Sequence, residues 1–163
     1  RPTKNNMEKS HAEFLKMAIQ IATENINGGG GPFGAVIVKN NEVIATSGNS
    51  VSLDNDPTAH AEVNAIRKAA KKLGSFELTG CTIYSSCEPC PMCLGAIYWA
   101  RIETLYFAAT RDDAHRAGFS DAFIYNEINI PLSQRSVHTI HLPTDNALLP
   151  FITWDENESK TLY

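Results

Sequence analysis

Between residues 81 and 108 an apolar segment, a helical segment and a second apolar segment follow one another without a hairpin turn. Residues 81–85 and 104–108 have the composition of strands, and Pro91 suits the first turn of a helix over residues 91–101. Two strands joined through a helix lie parallel, and a parallel pair is covered on both faces. This segment therefore predicts an α/β fold.

The chain before this segment adds a helix and a hairpin. Ser10 and Glu13 form a capping box ahead of an apolar stripe of helical period, so we expect a helix there. Residues 33–38 and 42–47 have strand character, and the two asparagines between them suit a tight turn. We therefore expect an antiparallel pair.

A second helix is expected to begin at Asp56, with Pro57 in its first turn, and to end at Gly74. The order is then helix, hairpin, helix, strand, helix, strand. A hairpin next to a parallel pair makes a mixed sheet, with helices on its two faces. We therefore predict the fold class α/β, as a three-layer α/β/α sandwich with a mixed sheet.

The pattern weakens after residue 112. We expect a short helix over residues 120–127, a fifth strand over residues 137–142, and a polar tail that ends at Tyr163. A length of 163 residues with 43% apolar residues fits one domain with a core. We predict an N-terminal extension over residues 1–9 and a single domain over residues 10–163.

Charge and composition narrow the class of function. The formal net charge is −4, which argues against a nucleic-acid partner. The sequence has no apolar run of membrane-spanning length and no secretory signal, so we expect no membrane partner and a cytoplasmic location. In a reducing compartment the four cysteines are better explained as metal ligands or core residues than as disulfides.

Four chemically active residues lie at the starts of two predicted helices. His60 and Glu62 fall in the first two turns of one helix, and Cys90 and Cys93 lie at the start of the other. If the two helix starts meet, one imidazole and two thiolates converge beside a carboxylate. Three protein ligands with an open fourth position, held by water, indicate a catalytic zinc site, and a carboxylate that is not a ligand moves protons.

Cys87 leaves alternatives open. With His60, Cys90 and Cys93 it would close a four-ligand site, whereas a position before the helix start favours a packed thiol. The pair Cys90 and Cys93 also has the spacing of a redox motif, although that function would not use His60. The glycine run at residues 28–31 is not expected to bind phosphate, because it leads from a helix into a strand.

Four segments carry a resemblance to a known family. HAE at residues 60–62 and PCPMC at residues 89–93 match the signature of zinc-dependent nucleobase deaminases. GGPFGAVIVK at residues 30–39 and AGFSDAFIY at residues 117–125 narrow the match, so that the chain resembles the guanine deaminases of the cytidine-deaminase-like superfamily. The resemblance implies hydrolysis of guanine to xanthine and ammonia.

The resemblance also implies roles for individual residues. His60, Cys90 and Cys93 would hold one Zn²⁺ per chain, with water or hydroxide as the fourth ligand, Glu62 would shuttle protons, and the counterpart of Cys87 is not a ligand. Asp121 would contact the exocyclic amine of the purine substrate, and Asn49 would hydrogen-bond the purine. Phe33 and Trp99 would border the purine ring. Tyr163 would reach the active site from the partner chain of a domain-swapped homodimer.

Three other functions are compatible with some of these motifs. A guanosine deaminase would share most of the motifs and differ in how the pocket ends. A tRNA adenosine deaminase would share the zinc signature, but the acidic charge balance counts against it. A non-enzymatic zinc-binding module would explain the cysteines and leave Glu62 without a role.

Overall fold

The structure is a computed structural model in which residues 8–163 are described, so most of the predicted extension over residues 1–9 lies outside it. Four strands and seven α-helices follow one another along these residues. The strands are β1 (Gly34–Lys39), β2 (Glu42–Gly48), β3 (Cys81–Cys87) and β4 (Thr104–Ala109). The helices are α1 (His11–Asn27), α2 (Val51–Asp54), α3 (Ala61–Leu73), α4 (Pro91–Trp99), α5 (Arg111–Arg116), α6 (Ala122–Ile128) and α7 (Leu149–Glu156).

The four strands form one mixed sheet in the order β2-β1-β3-β4. β1 is antiparallel to both β2 and β3, whereas β3 and β4 are parallel and are joined through α4. Asn40 and Asn41 both adopt positive φ angles, of 50° and 62°, at the turn from β1 to β2. Asparagine tolerates this conformation better than most residues, so the predicted hairpin is confirmed.

Each face of the sheet is covered by helices. Successive side chains of a strand point to opposite faces, so Val36 and Ile37 belong to different cores. Val36 packs with Phe14 of α1 on one face. Ile37 packs with Ala65 of α3 and Ile97 of α4 on the other face. The predicted three-layer α/β/α sandwich with a mixed sheet is therefore confirmed.

α1 lies very close to β1 at one glycine. A Cβ atom at Gly34 would stand 2.3 Å from the carbonyl oxygen of Ala18 and 2.7 Å from the backbone nitrogen of Ala22. These are backbone atoms of α1, so they cannot rotate away as the end of a side chain could. Gly34 therefore sets how closely the first helix packs on the sheet.

One predicted boundary and one predicted strand are wrong. α3 begins at Ala61 rather than at Asp56, because the Asp56 carboxylate accepts hydrogen bonds from the backbone nitrogen and the hydroxyl of Thr58 and closes a local turn instead. No strand forms over residues 137–142, within the chain as described. A strand there would need a neighbouring strand to pair with, and Val137 and Ile140 are exposed instead.

Some elements had no counterpart among the predictions. The short helices α2 and α5 and the C-terminal α7 were not predicted. α5 does carry a recognisable start, because Thr110 and Asp113 form a capping box. α7 begins without a side-chain cap and has no one-sided apolar stripe, so local patterning gives little indication of it. The predicted helix over residues 120–127 is present as α6.

Residues 123–163 form a second compact unit, distinct from the unit that ends at Ala122. Within it, the Arg135 side chain donates hydrogen bonds to the carbonyl oxygens of Glu127 and Ile128 at the end of α6. The Glu127 carboxylate accepts from the backbone nitrogen of Ser136. Single-domain organisation over residues 10–163 stays a prediction.

Among the described residues, no helix combines the length and apolar character needed to cross a bilayer.

Two glycine substitutions make a matched test of the packing between α1 and β1. We expect Gly34→Ala to lower the free energy of unfolding by about 2–3 kcal/mol, because its Cβ meets backbone. Gly95→Ala, in the middle of α4 with nothing within 4 Å of its Cβ, should raise it by about 0.5–1 kcal/mol. Urea unfolding followed by circular dichroism measures both. Equal effects of the two substitutions would contradict this account of Gly34.

Candidate metal centre and active site

His60 occupies the N-cap position of α3. Its backbone nitrogen donates to the Thr58 carbonyl oxygen at 2.8 Å, and the preceding Ala59 carbonyl oxygen accepts from Ser50 at 2.9 Å. The segment before α3 is therefore tied to the loop that follows β2. The prediction placed His60 inside a helix that begins at Asp56. It is instead the last extended residue before the helix.

Cys90 and Cys93 lie at the start of α4. Cys90 is the N-cap residue with an extended backbone, and Pro91 occupies the first turn, as predicted. The main chain reaches this point from Cys87, the last residue of β3. Cys93 is completely buried, and Cys90 is partly exposed. The two thiols therefore lie at the positive end of the α4 dipole, where thiolate is favoured.

The two helix starts converge. The Nδ1 atom of His60 lies 3.5 Å from the Sγ atom of Cys90 and 3.4 Å from the Sγ atom of Cys93. All three ligand atoms lie within 4.8 Å of one another. Tetrahedral zinc with ordinary Zn–S and Zn–N lengths places nitrogen and sulfur ligands about 3.6 Å apart. The group therefore fits a zinc ion, with three protein ligands and a fourth position left open.

The thiols of Cys90 and Cys93 share one hydrogen bond, which shifts their pKa values in opposite directions. The Cys93 thiol donates to Cys90, which lowers the pKa of Cys90, with a further hydrogen bond from His60. The same hydrogen bond, with burial, raises the pKa of Cys93. The hydrogen bond to Cys90 also raises the pKa of His60. The three groups thus form one protonation unit with thiolate character at Cys90, which suits a cation at their centre.

Glu62 lies beside this group, two residues into α3. It is buried, with 6% of its surface exposed, and that burial raises its pKa above the ordinary range for a glutamate. Its side chain also hydrogen-bonds Cys93, and it lies close enough to Cys90 and His60 to feel their charges. A buried carboxyl group with a raised pKa next to a metal group can both accept and release a proton near neutral pH.

Asn49 is the best-defined candidate for substrate recognition. It is buried, and its Oδ1 atom accepts hydrogen bonds from the backbone nitrogens of Gly31 and Val51 at 3.4 and 3.3 Å. Because two N–H groups face the same atom, that atom is the carbonyl oxygen of the amide, and the NH₂ group points the other way. Asn49 thus presents a hydrogen-bond donor away from its own loop.

Asp121 is partly buried in the first compact unit. Burial raises its pKa, the Cys90 charge raises it further, and the Arg111 guanidinium opposes the shift. The carboxylate therefore lies within electrostatic reach of both the metal group and Arg111. Arg111 is itself paired with Glu88, at 3.1 Å from Nε to Oε2.

Phe33 packs edge-on against Phe119, with ring centroids 5.0 Å apart. Both rings line a cavity of about 360 Å³ that also contacts α1, α5 and the end of β3. Among the described residues, its lining includes Cys87 and none of the three metal-group residues. The structure thus places Phe33 at a cavity that the metal group does not line, and a role for Phe33 at the purine ring stays a prediction.

Comparison with known proteins supports the chemistry of this site. Residues 8–109 match the family model of the cytidine and deoxycytidylate deaminase zinc-binding region. The chain is 52% identical over 155 residues to the guanine deaminase of Bacillus subtilis (strain 168), which covers 94% of this chain and 99% of that protein. The chain belongs to the guanine deaminase branch of this family.

Solved and curated relatives agree with that membership. The crystal structure of the Bacillus subtilis guanine deaminase superposes with a TM-score of 0.94 at 51% identity, over 95% of this chain and 99% of that one. A tRNA-specific adenosine deaminase of Aquifex aeolicus (strain VF5) is 38% identical over 134 residues, covering 82% of this chain and 86% of that protein.

The structure does not bring Trp99, one of the residues that the resemblance to guanine deaminases suggested, to the metal group. Trp99 ends α4, about 13 Å along the helix axis from Cys90, and 66% of its surface is exposed. Tyr163 belongs to the second compact unit. A role for either residue at the substrate stays a prediction.

Sequence reasoning missed Asn64, which supports the site from α3. Its Nδ2 atom donates to the carbonyl oxygens of Gly48 and Ala59 and to the hydroxyl of Ser50. The loop after β2 and the residue before His60 are thereby held to one helix. An asparagine in a helix interior lowers helix propensity, so its presence between Val63 and Ala65 was a usable signal.

Whether Cys87 binds the metal decides whether the site has three protein ligands or four. Its Sγ atom contacts the Thr110 carbonyl oxygen at 3.6 Å, and burial, more than any nearby charge, raises its pKa to about 11. We expect Cys87→Ser to bind as many zinc ions per chain as the unsubstituted protein, because serine keeps the hydrogen bond. Cys93→Ser should lose most of its zinc. Metal analysis after gel filtration measures both, and zinc loss in Cys87→Ser would point to a closed four-ligand site.

Proposed function

We propose that this chain catalyses the zinc-dependent hydrolytic deamination of guanine to xanthine and ammonia. The observation that carries the proposal is the group formed by His60, Cys90 and Cys93 with the buried carboxyl group of Glu62 beside it. A non-enzymatic zinc module would have no reason to bury a carboxylate next to two thiols, because the desolvation is costly. The identity to a guanine deaminase over nearly the whole chain selects the substrate.

His60, Cys90 and Cys93 would hold the zinc ion through Nδ1 and two sulfur atoms. A zinc ion bound in this way lowers the pKa of a water molecule in its open position to about 7, so that hydroxide is available as a nucleophile at neutral pH. The rest of the chemistry falls to the side chains around it.

Glu62 would carry the protons. It accepts a proton from the attacking water as the oxygen adds to carbon 2 of guanine, and it passes that proton to a ring nitrogen. In the tetrahedral intermediate that results, Glu62 takes the second proton from the hydroxyl group on carbon 2 and delivers it to the exocyclic nitrogen, with or without help from Asp121. The C–N bond then breaks, ammonia leaves, and the carbonyl group of xanthine forms at carbon 2. The raised pKa of Glu62 supports this role, because a strongly acidic carboxyl group would release a proton but accept one poorly.

Asn49 would recognise the purine by donating a hydrogen bond from Nδ2. Its loop is tied to the residue before His60 through Ser50, which keeps it near the metal group. Phe33 and Trp99 are proposed to border the ring. The substrate is a small purine rather than RNA. RNA binding gains much of its free energy when basic side chains displace counterions from the phosphate backbone, and a chain with a net charge of −4 is poorly suited to that. A cytoplasmic location stays a prediction from the sequence.

We also propose a homodimer in which the C-terminal segment of one chain supplies Tyr163 to the active site of the other. The second unit, residues 123–163, supports this, because many of its large apolar side chains are exposed. They include Val137, Ile140, Leu142, Leu148 and Phe151, each with more than 60% of its surface accessible. A surface of this kind usually marks a contact with another chain.

Glu62→Gln tests the reaction. We expect this substitution to lower kcat for guanine by roughly 100- to 10,000-fold, because glutamine cannot transfer a proton. Zinc content should not change, since Glu62 is not a ligand. The measurement is ammonia release from guanine, guanosine and a tRNA substrate, with and without a zinc chelator. Glu77→Gln, which alters an exposed carboxylate in the same way, serves as the control.

Turnover of guanine by Glu62→Gln at the unchanged rate, with zinc retained, would remove Glu62 from the mechanism. Faster release of ammonia from guanosine than from guanine would replace the proposed substrate with the nucleoside. Release from the tRNA substrate alone would indicate an RNA deaminase. Activity that survives complete removal of zinc would overturn the metal-dependent mechanism as a whole.

Subunit complementation tests the proposed swap. One variant carries Glu62→Gln and keeps Tyr163, and the other keeps Glu62 but lacks the last residue. Each homodimer should have little guanine deaminase activity. If Tyr163 acts in the partner's site, mixed dimers contain one site with Glu62 and Tyr163 together, so that unfolding and refolding the two variants together restores activity. Absence of recovery in mixtures shown to contain heterodimers would place Tyr163 outside the partner's site.

A further inference from the structure

The Asn49 side chain is oriented by its own loop, but the backbone of Asn49 has to be held as well. Its backbone nitrogen donates to the Phe33 carbonyl oxygen at 3.2 Å, which fixes one side of the peptide. Its backbone carbonyl oxygen accepts from the Nδ2 atom of Asn25 at 2.8 Å. Asn25 lies near the end of α1, far from Asn49 along the sequence.

Asn25 binds a second segment with the same amide group. Its Nδ2 atom also donates to the Gly31 carbonyl oxygen at 2.8 Å. The backbone nitrogen of Gly31, in turn, donates to Oδ1 of Asn49. The two protons of one NH₂ group therefore hold the glycine-rich turn and the loop after β2 against each other. Asn49 lies at the place where these two segments meet.

Two glycines make room for this amide. A Cβ atom at Gly48 would stand 2.3 Å from Oδ1 of Asn25, and one at Gly30 would stand 2.3 Å from Nδ2 of Asn25 and 2.5 Å from the Asn49 carbonyl oxygen. Neither glycine has a positive φ angle, so space rather than backbone conformation accounts for them. The sequence thus keeps a close-fitting slot for the Asn25 side chain.

We propose that Asn25 is a positioning residue for purine recognition: it holds the Asn49 backbone so that the Asn49 NH₂ group is presented to the substrate. This inference rests on the proposed role of Asn49 in binding guanine. Asn25 itself contacts the loop and not the reacting atoms. It therefore contributes to substrate binding and leaves the proton transfer by Glu62 unaffected.

Asn25→Asp is the test substitution, because aspartate has nearly the same shape and fits the same slot. It replaces an NH₂ donor with an oxygen that faces two carbonyl oxygens, so both hydrogen bonds are lost and the loop is displaced. We expect KM for guanine to rise about tenfold, with kcat changed less than about twofold. Zinc content should be unchanged. Gln20→Glu, the same exchange at an exposed position of α1, should leave both constants unchanged.

A double-mutant cycle separates positioning from general destabilisation. If Asn25 acts through Asn49, adding Asn25→Asp to Asn49→Ala should cost less than about twofold in kcat/KM. Equal losses in the two backgrounds, or an unchanged KM in Asn25→Asp alone, would overturn the proposal. A purely structural role would lower the melting temperature and kcat together, without this dependence on Asn49.

Amide hydrogen exchange distinguishes a failure here from a failure of the proposed function. The backbone N–H groups of Gly31 and Val51 donate to Asn49, so their exchange should be faster in Asn25→Asp. If Asn49→Ala leaves KM for guanine unchanged, the proposed role of Asn49 is wrong. Faster exchange in Asn25→Asp would then still support the bracing of Asn49 by Asn25, and unchanged exchange would overturn it.

Discussion

The site depends on the meeting of two helix starts. α3 and α4 each begin with a residue in extended conformation, His60 in one case and Cys90 in the other, and these caps supply two of the three candidate ligands. A cap residue lies at the open end of its helix, where backbone N–H groups and the dipole favour negative charge. Cys90 therefore occupies a position that favours thiolate, and the hydrogen bond from the Cys93 thiol favours it further.

Burial gives this arrangement its chemical character. Burial raises the pKa of Glu62, and the hydrogen bond to Cys90 together with burial raises the pKa of Cys93, while Cys90 accepts that hydrogen bond and keeps thiolate character. Such a group would be unfavourable without compensation, because uncompensated buried charge is costly. A divalent cation offsets the thiolate charge and leaves Glu62 as the group able to exchange a proton. The burial that disfavours ionised groups at this site therefore also raises the pKa of Glu62, which suits it to act as the general base.

The local parts of this architecture could be predicted, and the long-range parts could not. Pro91 indicated the start of α4, and the two asparagines after β1 indicated the turn, because each of these choices is set by the conformation of one or two residues. The start of α3 was misplaced, because Asp56 caps a turn as readily as a helix. Residues 137–142 include the β-branched Val137, Thr139 and Ile140, but such a composition does not specify which strand, or whose, they would pair with.

The part of the chain that the family model matches holds the metal group and one candidate recognition residue. Residues 8–109, which the family model matches, contain the metal group, Glu62, Asn49 and the Asn25 amide that supports it. Asp121 and Tyr163 lie beyond that match. A framework shared across the family can supply hydrolytic chemistry and one fixed donor, but a donor alone does not distinguish a free base from a nucleoside or from RNA. The residues that select among these substrates must therefore include side chains other than Asn49.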